Sequence, residues 1–379
     1  MAPGPAIPPT LDLVEPIDGL VISHPHQDHY GLLRDLPPHW PVWSGEAAEI
    51  LMRMTAALKG DRIAQRFQTY HAWTPFTVGP FTVTPYLTDH SAFDAHMLLV
   101  DCGGRRILYS GDFRRVGRKA VLVDRLMSRP PEGVDVLLLE GTTLGRSEVY
   151  PTEAELEDEF VDLFKRTAGR VFVTWSAQNI DRTVTIYRAC KRTGRTLILD
   201  LYTLDVLQRL ARLCDSLPRL GWPQVMCIVT AGMKRLYDDP ARLGAPDFVE
   251  RCATSGNAIG AAKLAGRSDA VVMLRPSLLR DFVRKGFRFE SDDAWVFSMW
   301  SGYLQSDEYL SVRREIQEAG AGFHQIHTSG HASSTDLEEF AQRVAPRCLV
   351  PIHSFDWSDH LQRFSNVSRL RDGEPFVVP

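Results

Sequence analysis

The stretch His24-Pro25-His26-Gln27-Asp28-His29 places four residues that can bind a metal within six positions. It follows the apolar run 19–23, whose composition predicts a buried strand. The first two histidines are two residues apart, so an extended segment puts both on one face, and the aspartate and last histidine follow where the chain must turn. Imidazole together with carboxylate suits zinc or a similar cation. The stretch therefore predicts a metal site on the loop that leaves a strand.

The composition is that of a globular protein with room for two domains. The chain has 379 residues, of which 44% are hydrophobic and 24% charged. No apolar run reaches the roughly 18 residues that a membrane span needs, and the Pro-rich start lacks the basic and apolar regions of a signal peptide. The six cysteines are scattered without a Cys-x-x-Cys pair, which favours a reducing cytoplasm over a disulfide framework. We assign no cysteine to the metal.

The charge balance bears on the class of partner. The formal net charge is −4, from 43 Lys and Arg against 47 Asp and Glu, which argues against a protein that only coats nucleic acid. An enzyme is less affected, because bound cations and local basic groups can supply a positive field. One local basic cluster is predicted from Arg114, Arg115, Arg118 and Lys119.

Further residues of metal-ligand type recur where predicted strands end. The strands concerned are 81–87, leading to His90, 106–110, leading to Asp112, and 134–139, leading to Glu140. In layered α/β folds such strand ends converge, and ligands bind there. A single carboxylate at a strand end is more often a turn former or a helix cap. It is the recurrence after the first cluster that indicates one shared site.

From Pro151 the pattern changes to alternating helices and strands, which predicts a doubly wound α/β segment of its own. The segment opens with a capping-box sequence at Thr152 and Glu155. Near its end, Trp300 and Tyr303 belong either to the core or to a surface that stacks nucleic-acid bases.

After residue 320 the chain offers two more histidines in motif-like settings. His331 lies in Ser-Gly-His-Ala-Ser at a predicted helix start, where free backbone N–H groups favour a phosphate, although a plain helix cap has the same sequence. His353 ends the predicted strand 348–352. The other histidines are expected to lie outside the site, with His96 packed in a strand; they are His39, His71, His96, His324, His327 and His360.

With these residues, the chain resembles the β-CASP branch of the metallo-β-lactamase superfamily, and most closely its RNase J-like members, over nearly its whole length. His-x-His-x-Asp-His is the signature of the superfamily. The other motif positions follow in the family's order, with His90 in the third motif, Asp112 in the fourth, and Glu140, His331 and His353 in β-CASP motifs A, B and C. The turn 175–179, followed by Arg182, is similar to a strand-to-helix turn of the family's inserted domain.

This resemblance implies an α/β fold, with a metallo-β-lactamase αββα sandwich and an inserted β-CASP doubly wound α/β domain. The implied parts are residues 1–145, the first part of the metallo-β-lactamase domain, 146–320, the β-CASP domain, and 321–379, the second part with motifs B and C. Family members normally begin with several strands and an Asp-x-Gly element, whereas 23 Pro-rich residues precede His24 here. We therefore expect shortened N-terminal strands, and no further C-terminal domain.

The resemblance also implies a ligand set for two Zn²⁺ ions, with Mn²⁺ as the other cation that such ligands tolerate. One ion is assigned to His24, His26 and His90, and the other to Asp28, His29 and His353, with Asp112 as the bridge. The implied catalytic residues are Asp28, which orients the attacking hydroxide, and His331, oriented by Glu140, which contacts the scissile phosphate or protonates the leaving oxygen. Weaker candidates for substrate contacts are Ser333, Ser334, Ser176, Gln178 and Asn179.

The function implied is that of a cytoplasmic, zinc-dependent ribonuclease with RNA as its substrate, no membrane partner and a homodimer as its expected assembly. A histidine at the position of His353 is typical of RNA-processing members, whereas DNA-repair members usually carry valine. Three alternatives stay open, namely a hydrolase of a small ester or thioester, a DNA nuclease and a non-catalytic nucleic-acid-binding protein. The sequence does not separate exonuclease from endonuclease action.

Overall fold

The computed structural model describes residues 11–354, 357–371 and 373–379. The chain divides into two compact units. Unit 1 comprises the described residues up to Arg53, then Arg62–Tyr150, and those from Ser329 onward, whereas unit 2 comprises Met54–Asp61 and Pro151–Thr328. The long segment of unit 2 thus begins at Pro151 and ends at Thr328, where the motifs placed an inserted domain at 146–320.

The strands and helices alternate along most of the described chain. The strands are β1 (Leu20–Val21), β2 (Val42–Ser44), β3 (Phe67–Thr69), β4 (Phe76–Val78), β5 (Phe81–Leu87), β6 (His96–Cys102), β7 (Arg105–Tyr109), β8 (Val136–Glu140), β9 (Val171–Thr174), β10 (Thr196–Asp200), β11 (Val225–Ile228), β12 (Ala258–Ile259), β13 (Ala270–Met273), β14 (Ala294–Phe297), β15 (Gly322–Gln325) and β16 (Cys348–Ile352). The α-helices are α1 (Gln27–Tyr30), α2 (Glu46–Lys59), α3 (Ala120–Ser128), α4 (Glu153–Arg166), α5 (Ile180–Thr193), α6 (Leu201–Leu210), α7 (Ala231–Asp238), α8 (Pro246–Thr254), α9 (Pro276–Arg284), α10 (Asp307–Glu318) and α11 (Ser334–Val344). Short 3₁₀ turns lie at Gly31–Asp35, Ala261–Lys263, Ser301–Gln305 and Ser358–Arg363.

Unit 1 contains two sheets. Strands β1, β2 and β3 form a parallel sheet in that order, and the second sheet has the order β16-β8-β7-β6-β5-β4. In the second sheet β7, β8 and β16 run parallel, and β4 to β7 are antiparallel neighbours. Consequently β5, β7, β8 and β16 all point the same way, and their carboxyl ends meet at one edge.

The two faces of this six-stranded sheet pack on different partners. Along β6, Met97 and Leu99 belong to a core with residues of α3 and α11, whereas Leu98 belongs to a cluster that includes Trp43 of β2. Successive residues of a strand point to opposite faces, so one strand serves both cores. Unit 1 is therefore a sandwich of two sheets with helices packed on the outer face of the larger one.

Unit 2 is built on a seven-stranded sheet of order β12-β11-β10-β13-β9-β14-β15, and all its strand pairs are parallel. Every residue of β9, β13 and β14 is buried. Continuous burial is what a parallel sheet covered by helices on both faces requires. The predicted doubly wound segment is thus present. The predicted capping box of α4 is present too, with Thr152 Oγ1 accepting from the backbone N–H of Glu155.

A buried ion pair joins α4 and α5 within unit 2. Arg182 donates from Nε and Nη2 to the two carboxylate oxygens of Glu153, at 3.2 and 3.0 Å, and neither side chain reaches solvent. Arg182 Nη1 also donates to the carbonyl oxygen of Ser298 at 3.1 Å. Both partners are desolvated, so the pair is stable only while both charges are present. The structure thus gives the arginine of the 175–182 motif a structural role.

We expect Arg182→Met to lower the free energy of unfolding by about 3–5 kcal/mol, because it leaves the Glu153 carboxylate buried without its counter-charge. Urea unfolding followed by far-UV circular dichroism measures the loss. Arg188→Met is the matched control, since Arg188 lies on the same helix with its guanidinium largely in solvent. Equal unfolding midpoints for the two variants would contradict this account.

None of the helices in the described part of the chain combines the length and the apolar character that crossing a bilayer requires.

Candidate metal centre

The motif residues of unit 1 lie at neighbouring carboxyl ends of strands. His24 follows β1, and Asp28 and His29 lie on the short helix α1. His90 and Asp112 come shortly after β5 and β7, Glu140 is the last residue of β8, and His353 follows β16 directly. His331 precedes α11. Because these strands run in one direction, residues up to 329 positions apart in the chain, such as His24 and His353, reach the same edge.

The side chains assemble into three groups whose ligand atoms all lie within 4.8 Å of one another. The first group contains His24, His26, His90 and Asp112, the second Asp28, His29, Asp112 and His353, and the third Asp112, Glu140, His331 and His353. The first two groups coincide with the division of ligands that the motifs implied. Asp112 belongs to all three.

Four of the imidazoles in the first two groups are held by a partner on Nδ1. His90 Nδ1 donates to the carbonyl oxygen of Gly330 at 2.5 Å. The partners of the other three are Ser23 Oγ for His24 at 3.1 Å, the Tyr109 hydroxyl for His29 at 3.3 Å, and Thr142 Oγ1 for His353 at 2.8 Å. Such partners fix the ring orientation and leave Nε2 of each ring to face the centre.

His26 and His90 point ring nitrogens at each other. Nδ1 of His26 lies 3.0 Å from Nε2 of His90. Since His90 carries its proton on Nδ1, its Nε2 presents a lone pair to this gap. Burial lowers the pKa of His26 to about 4 and holds that of His90 well below its usual value, with the neighbouring imidazoles adding to the effect at His90. Both rings are therefore neutral at pH 7, which is the form that binds a cation.

Two buried polar atoms at the centre lack a hydrogen-bond partner among the described residues, namely His24 Nε2 and Asp112 Oδ1. Burial also holds the pKa of His24 well below its usual value, which favours the neutral imidazole, and Nε2 of this ring lies 3.6 Å from Oδ2 of Asp112. Burying a carboxylate oxygen and an imidazole nitrogen without partners is unfavourable unless a further group, such as a cation, contacts them. The donor set thus fits a divalent cation.

The charge of Asp112 is maintained despite its burial. Burial by itself raises the pKa of this carboxyl, but the hydrogen bond from His29 Nε2 at 3.1 Å and the surrounding imidazoles lower it below its usual range. The preceding Gly111 has a φ of +53°, and a Cβ there would lie 3.1 Å from the carbonyl oxygen of His96. Glycine is required at this turn, which carries the chain from β7 to the buried carboxylate.

Asp28 and His353 form the exposed side of the second group. His353 Nε2 donates to Asp28 Oδ2 at 3.2 Å, and this bond lowers the pKa of Asp28 below its usual range while it raises that of His353 to about 9. His353 has a φ of +51°, which is uncommon for a residue with a side chain. The left-handed conformation turns the imidazole from the end of β16 towards Asp28. A cation bound here must displace the proton on His353.

Glu140 connects the Asp112 loop to His331. It is fully buried, and its Oε1 accepts from the backbone N–H of Phe113 at 2.9 Å while its Oε2 accepts from His331 Nδ1 at 2.9 Å. Burial lowers the pKa of His331, but the charge and hydrogen bond of Glu140 outweigh it, so the pKa is raised overall. The raised pKa favours the protonated imidazole, in which Nδ1 donates to Glu140 and Nε2 carries a second proton.

Most of the predicted substrate contacts form hydrogen bonds within the protein, and two of them cap helices. Ser333 Oγ accepts from the N–H of Asp336 in the capping box of α11, and the buried Ser334 hydroxyl donates to the carbonyl oxygens of Thr143 and Arg146. In unit 2, Asn179 caps α5, Gln178 Nε2 donates to Thr55 Oγ1 and the Tyr202 hydroxyl, and Ser176 is exposed. A contact of these five residues with substrate stays a prediction.

Two residues of the basic cluster predicted after Asp112 are paired with acidic groups. Arg114 is buried against Asp89 and donates to the carbonyl oxygen of Ser329 at 3.1 Å. Arg115 pairs with Asp124 at 2.5 Å and with Glu339 at 2.7 Å. These arginines neutralise acidic groups that are distant in the sequence, so their charge was visible in the sequence but their pairing was not.

Sequence reasoning missed the residues that orient the imidazoles. Thr142 stands in the Glu-Gly-Thr-Thr motif and Ser23 is adjacent to His24, so both were within reach of motif analysis. The sequence did not indicate a role for Tyr109, because an aromatic residue at the end of a strand is common. The six histidines expected outside the site are absent from all three groups, and His96 is buried in β6.

The chain matches known proteins in both sequence and fold. Residues 1–196 match the family model described as a beta-lactamase superfamily domain. Proteins named ribonuclease J are similar over nearly the whole chain, with 24% identity for that of Sinorhizobium meliloti (98% of this chain, 67% of the relative), 26% for Mycobacterium tuberculosis (90% and 59%) and 22% for Helicobacter pylori (89% and 47%). The chain thus spans from about half to two thirds of the length of these curated relatives.

A crystal structure of a protein of unknown function from Enterococcus faecalis V583 matches with a TM-score of 0.72, over 93% of this chain and 79% of that chain, at 18% identity. The predicted α/β fold with a metallo-β-lactamase domain is confirmed by this likeness together with the family model. The chain therefore belongs to the β-lactamase superfamily, and within it is similar to ribonuclease J.

Proposed function

We propose that the protein is a metal-dependent phosphodiesterase that hydrolyses RNA, with two divalent cations held by the first two groups of ligands. The observation that carries the proposal is the shared carboxylate of Asp112, around which two sets of imidazole and carboxylate groups have ligand atoms within 4.8 Å of one another. The ligand chemistry suits Zn²⁺, and Mn²⁺ is compatible with it. When bound, such a pair of cations lowers the pKa of water and offsets the negative charge that develops on a phosphodiester under attack.

Asp28 is the group best placed to orient the attacking water. Its Oδ2 is used by His353 at 3.2 Å, and its side chain is exposed, so its second oxygen is available to accept a hydrogen bond from water. The low pKa of Asp28 keeps it an acceptor at neutral pH. We assign to it the orientation of the nucleophile.

His331 is assigned to the scissile phosphate or the leaving oxygen. Glu140 fixes its Nδ1, and the raised pKa favours the form with a proton on Nε2, which can be donated to an oxygen that gains negative charge. Glu140 acts through His331 and is a positioning residue. The RNA assignment draws on the relatives named ribonuclease J and on the histidine at position 353.

We expect the wild-type protein to bind two Zn²⁺ per chain and Asp112→Asn to bind at most one with comparable affinity, because this isosteric change removes the charge that both ligand groups share. Equilibrium dialysis with elemental analysis measures the metal content. Asp101→Ala is the control, since Asp101 lies on β6, outside the three groups, and pairs with Arg106 while both side chains are partly exposed. Two tightly bound ions in Asp112→Asn would contradict the shared-ligand assignment.

We expect a 5′-monophosphorylated, end-labelled RNA to be cleaved by the zinc-loaded protein, and His331→Ala to lower kcat by about 10²–10⁴ while it retains both metals. Denaturing gels resolve the products, and their ladder separates exonuclease from endonuclease action. His39→Ala, a histidine outside the three groups, should cleave at the wild-type rate.

The alternatives are tested in the same assay with a DNA strand of the same sequence and with a chromogenic ester. Cleavage of DNA at an equal or higher rate, or ester hydrolysis without RNA cleavage, would replace the ribonuclease assignment. Full activity of His331→Ala with normal metal content would remove the role of His331 only.

A further inference from the structure

Two large aromatic side chains are exposed at the carboxyl edge of the parallel sheet of unit 2. Trp300 is 54% and Tyr303 52% accessible to solvent. They lie on the 3₁₀ turn that follows β14, and Leu304 of the same turn is buried and anchors it. Of the two alternatives that the sequence left open for these aromatics, burial in the core is therefore wrong for both. Crevices outside the carboxyl ends of parallel strands are where open α/β sheets bind ligands.

The turn holds the two rings in a defined arrangement. Their centroids are 5.5 Å apart and their planes are inclined by 87°, so the edge of one ring meets the face of the other. The indole lies against Gly302, where an added Cβ would come within 2.3 Å of its six-membered ring. Glycine is thus what allows the indole to lie flat on the backbone.

We propose that Trp300 and Tyr303 form a platform on which bases of single-stranded RNA stack. The proposal rests on the proposed function for its choice of RNA, but concerns a surface of unit 2 that takes no part in the chemistry assigned to unit 1. A ring face attracts any base, so the platform tolerates every sequence, as in proteins that bind single strands through aromatic side chains.

The surroundings favour a base over a protein partner. Ser301, Gln305 and Ser306 next to the rings are exposed polar residues, so polar groups border the two rings along the turn. A stable protein interface buries about 1,200–2,000 Å² and needs more apolar area than this. Two stacked bases need no more than the rings themselves.

The charges at this edge favour stacking over phosphate binding. Arg275, which follows β13, lies 2.7 Å from Asp200 and is thereby neutralised, and α10 opens with the acidic residues Asp307 and Glu308. In the sheet, β13 and β14 are separated only by β9, a distance of about 10 Å. The platform therefore contributes affinity without neutralising phosphates, so it releases no counterions from the RNA and adds nothing to the salt dependence of binding.

The test measures binding in EDTA, where affinity is read without hydrolysis, using fluorescence anisotropy of fluorescein-labelled 12-residue oligoadenylate and oligouridylate and the full chain. Trp300→Ala should weaken binding by about tenfold, while the slope of log affinity against log salt stays that of the wild type. Gly302→Ala, which retains both rings but displaces the indole, should weaken binding too. Trp300→Phe should retain most of the affinity.

Two controls separate stacking from loss of fold. Leu213→Ala removes an exposed apolar side chain elsewhere in unit 2 and should bind like the wild type. An oligonucleotide of the same length without bases should bind the wild type and Trp300→Ala equally. Circular dichroism establishes that each variant is folded.

Equal affinity of Trp300→Ala and wild type for base-containing RNA would overturn the platform. So would a dimer, seen by analytical ultracentrifugation, that Trp300→Ala abolishes without a change in RNA affinity. If RNA cleavage persists in either case, the proposed function stands while the platform falls. A wild-type protein that neither binds nor cleaves RNA overturns both proposals.

Discussion

The candidate centre depends on keeping one carboxylate charged in a buried position. Asp112 is nearly inaccessible to solvent, yet it contacts the imidazole of His29 and faces those of His24, His331 and His353. Its position is fixed on both sides, by the left-handed Gly111 before it and by the fully buried Phe113 after it, whose N–H is bonded to Glu140. A carboxylate held in this way cannot relax to meet water, so its unsatisfied oxygen remains directed at the place where a cation is needed.

The direction of the strands explains how so many ligands reach that carboxylate. Strands β7, β8 and β16 are parallel neighbours, and β5 points the same way although it pairs with an antiparallel strand. Their carboxyl ends therefore deliver Asp112, Glu140, His353 and His90 to one edge. The same strands alternate between two cores, with α3 and α11 on one face and the smaller sheet on the other, so their register cannot slip without exposing a core face. Packing of the strands thus also fixes the relative positions of the ligands.

The sequence predicts the ligand residues of the centre better than it predicts the residues that contact and orient them. The histidines and carboxylates were found because residues of metal-ligand type recur at predicted strand ends, and because the motifs that contain them are short and local in the sequence. The boundaries of β5 and β16 agree with the predicted ranges, since alternation and apolar runs are also local signals. Tyr109 beside His29, and Arg115 beside Glu339, were not found. Each of these contacts joins residues at least 80 positions apart. Tyrosines and arginines with a similar local sequence often make no such contact, so the local sequence does not predict it.

The serines and amides show where a local signal becomes ambiguous. Ser333 was predicted as a substrate contact because the free N–H groups of a helix start bind phosphate, and Asn179 because its turn resembles one in the family's inserted domain. The same groups are also the preferred caps of the free N–H groups of the first turn, and both residues form such caps here. A serine or asparagine at a helix start can cap the free backbone N–H groups itself, or those N–H groups can bind a phosphate. The sequence is the same in both cases, so it does not distinguish a cap from a substrate contact. Trp300 presents the opposite case, since the local sequence around an aromatic residue is the same whether it is buried or exposed. Only the fold, which buries Leu304 and turns Trp300 outward, separates the two outcomes.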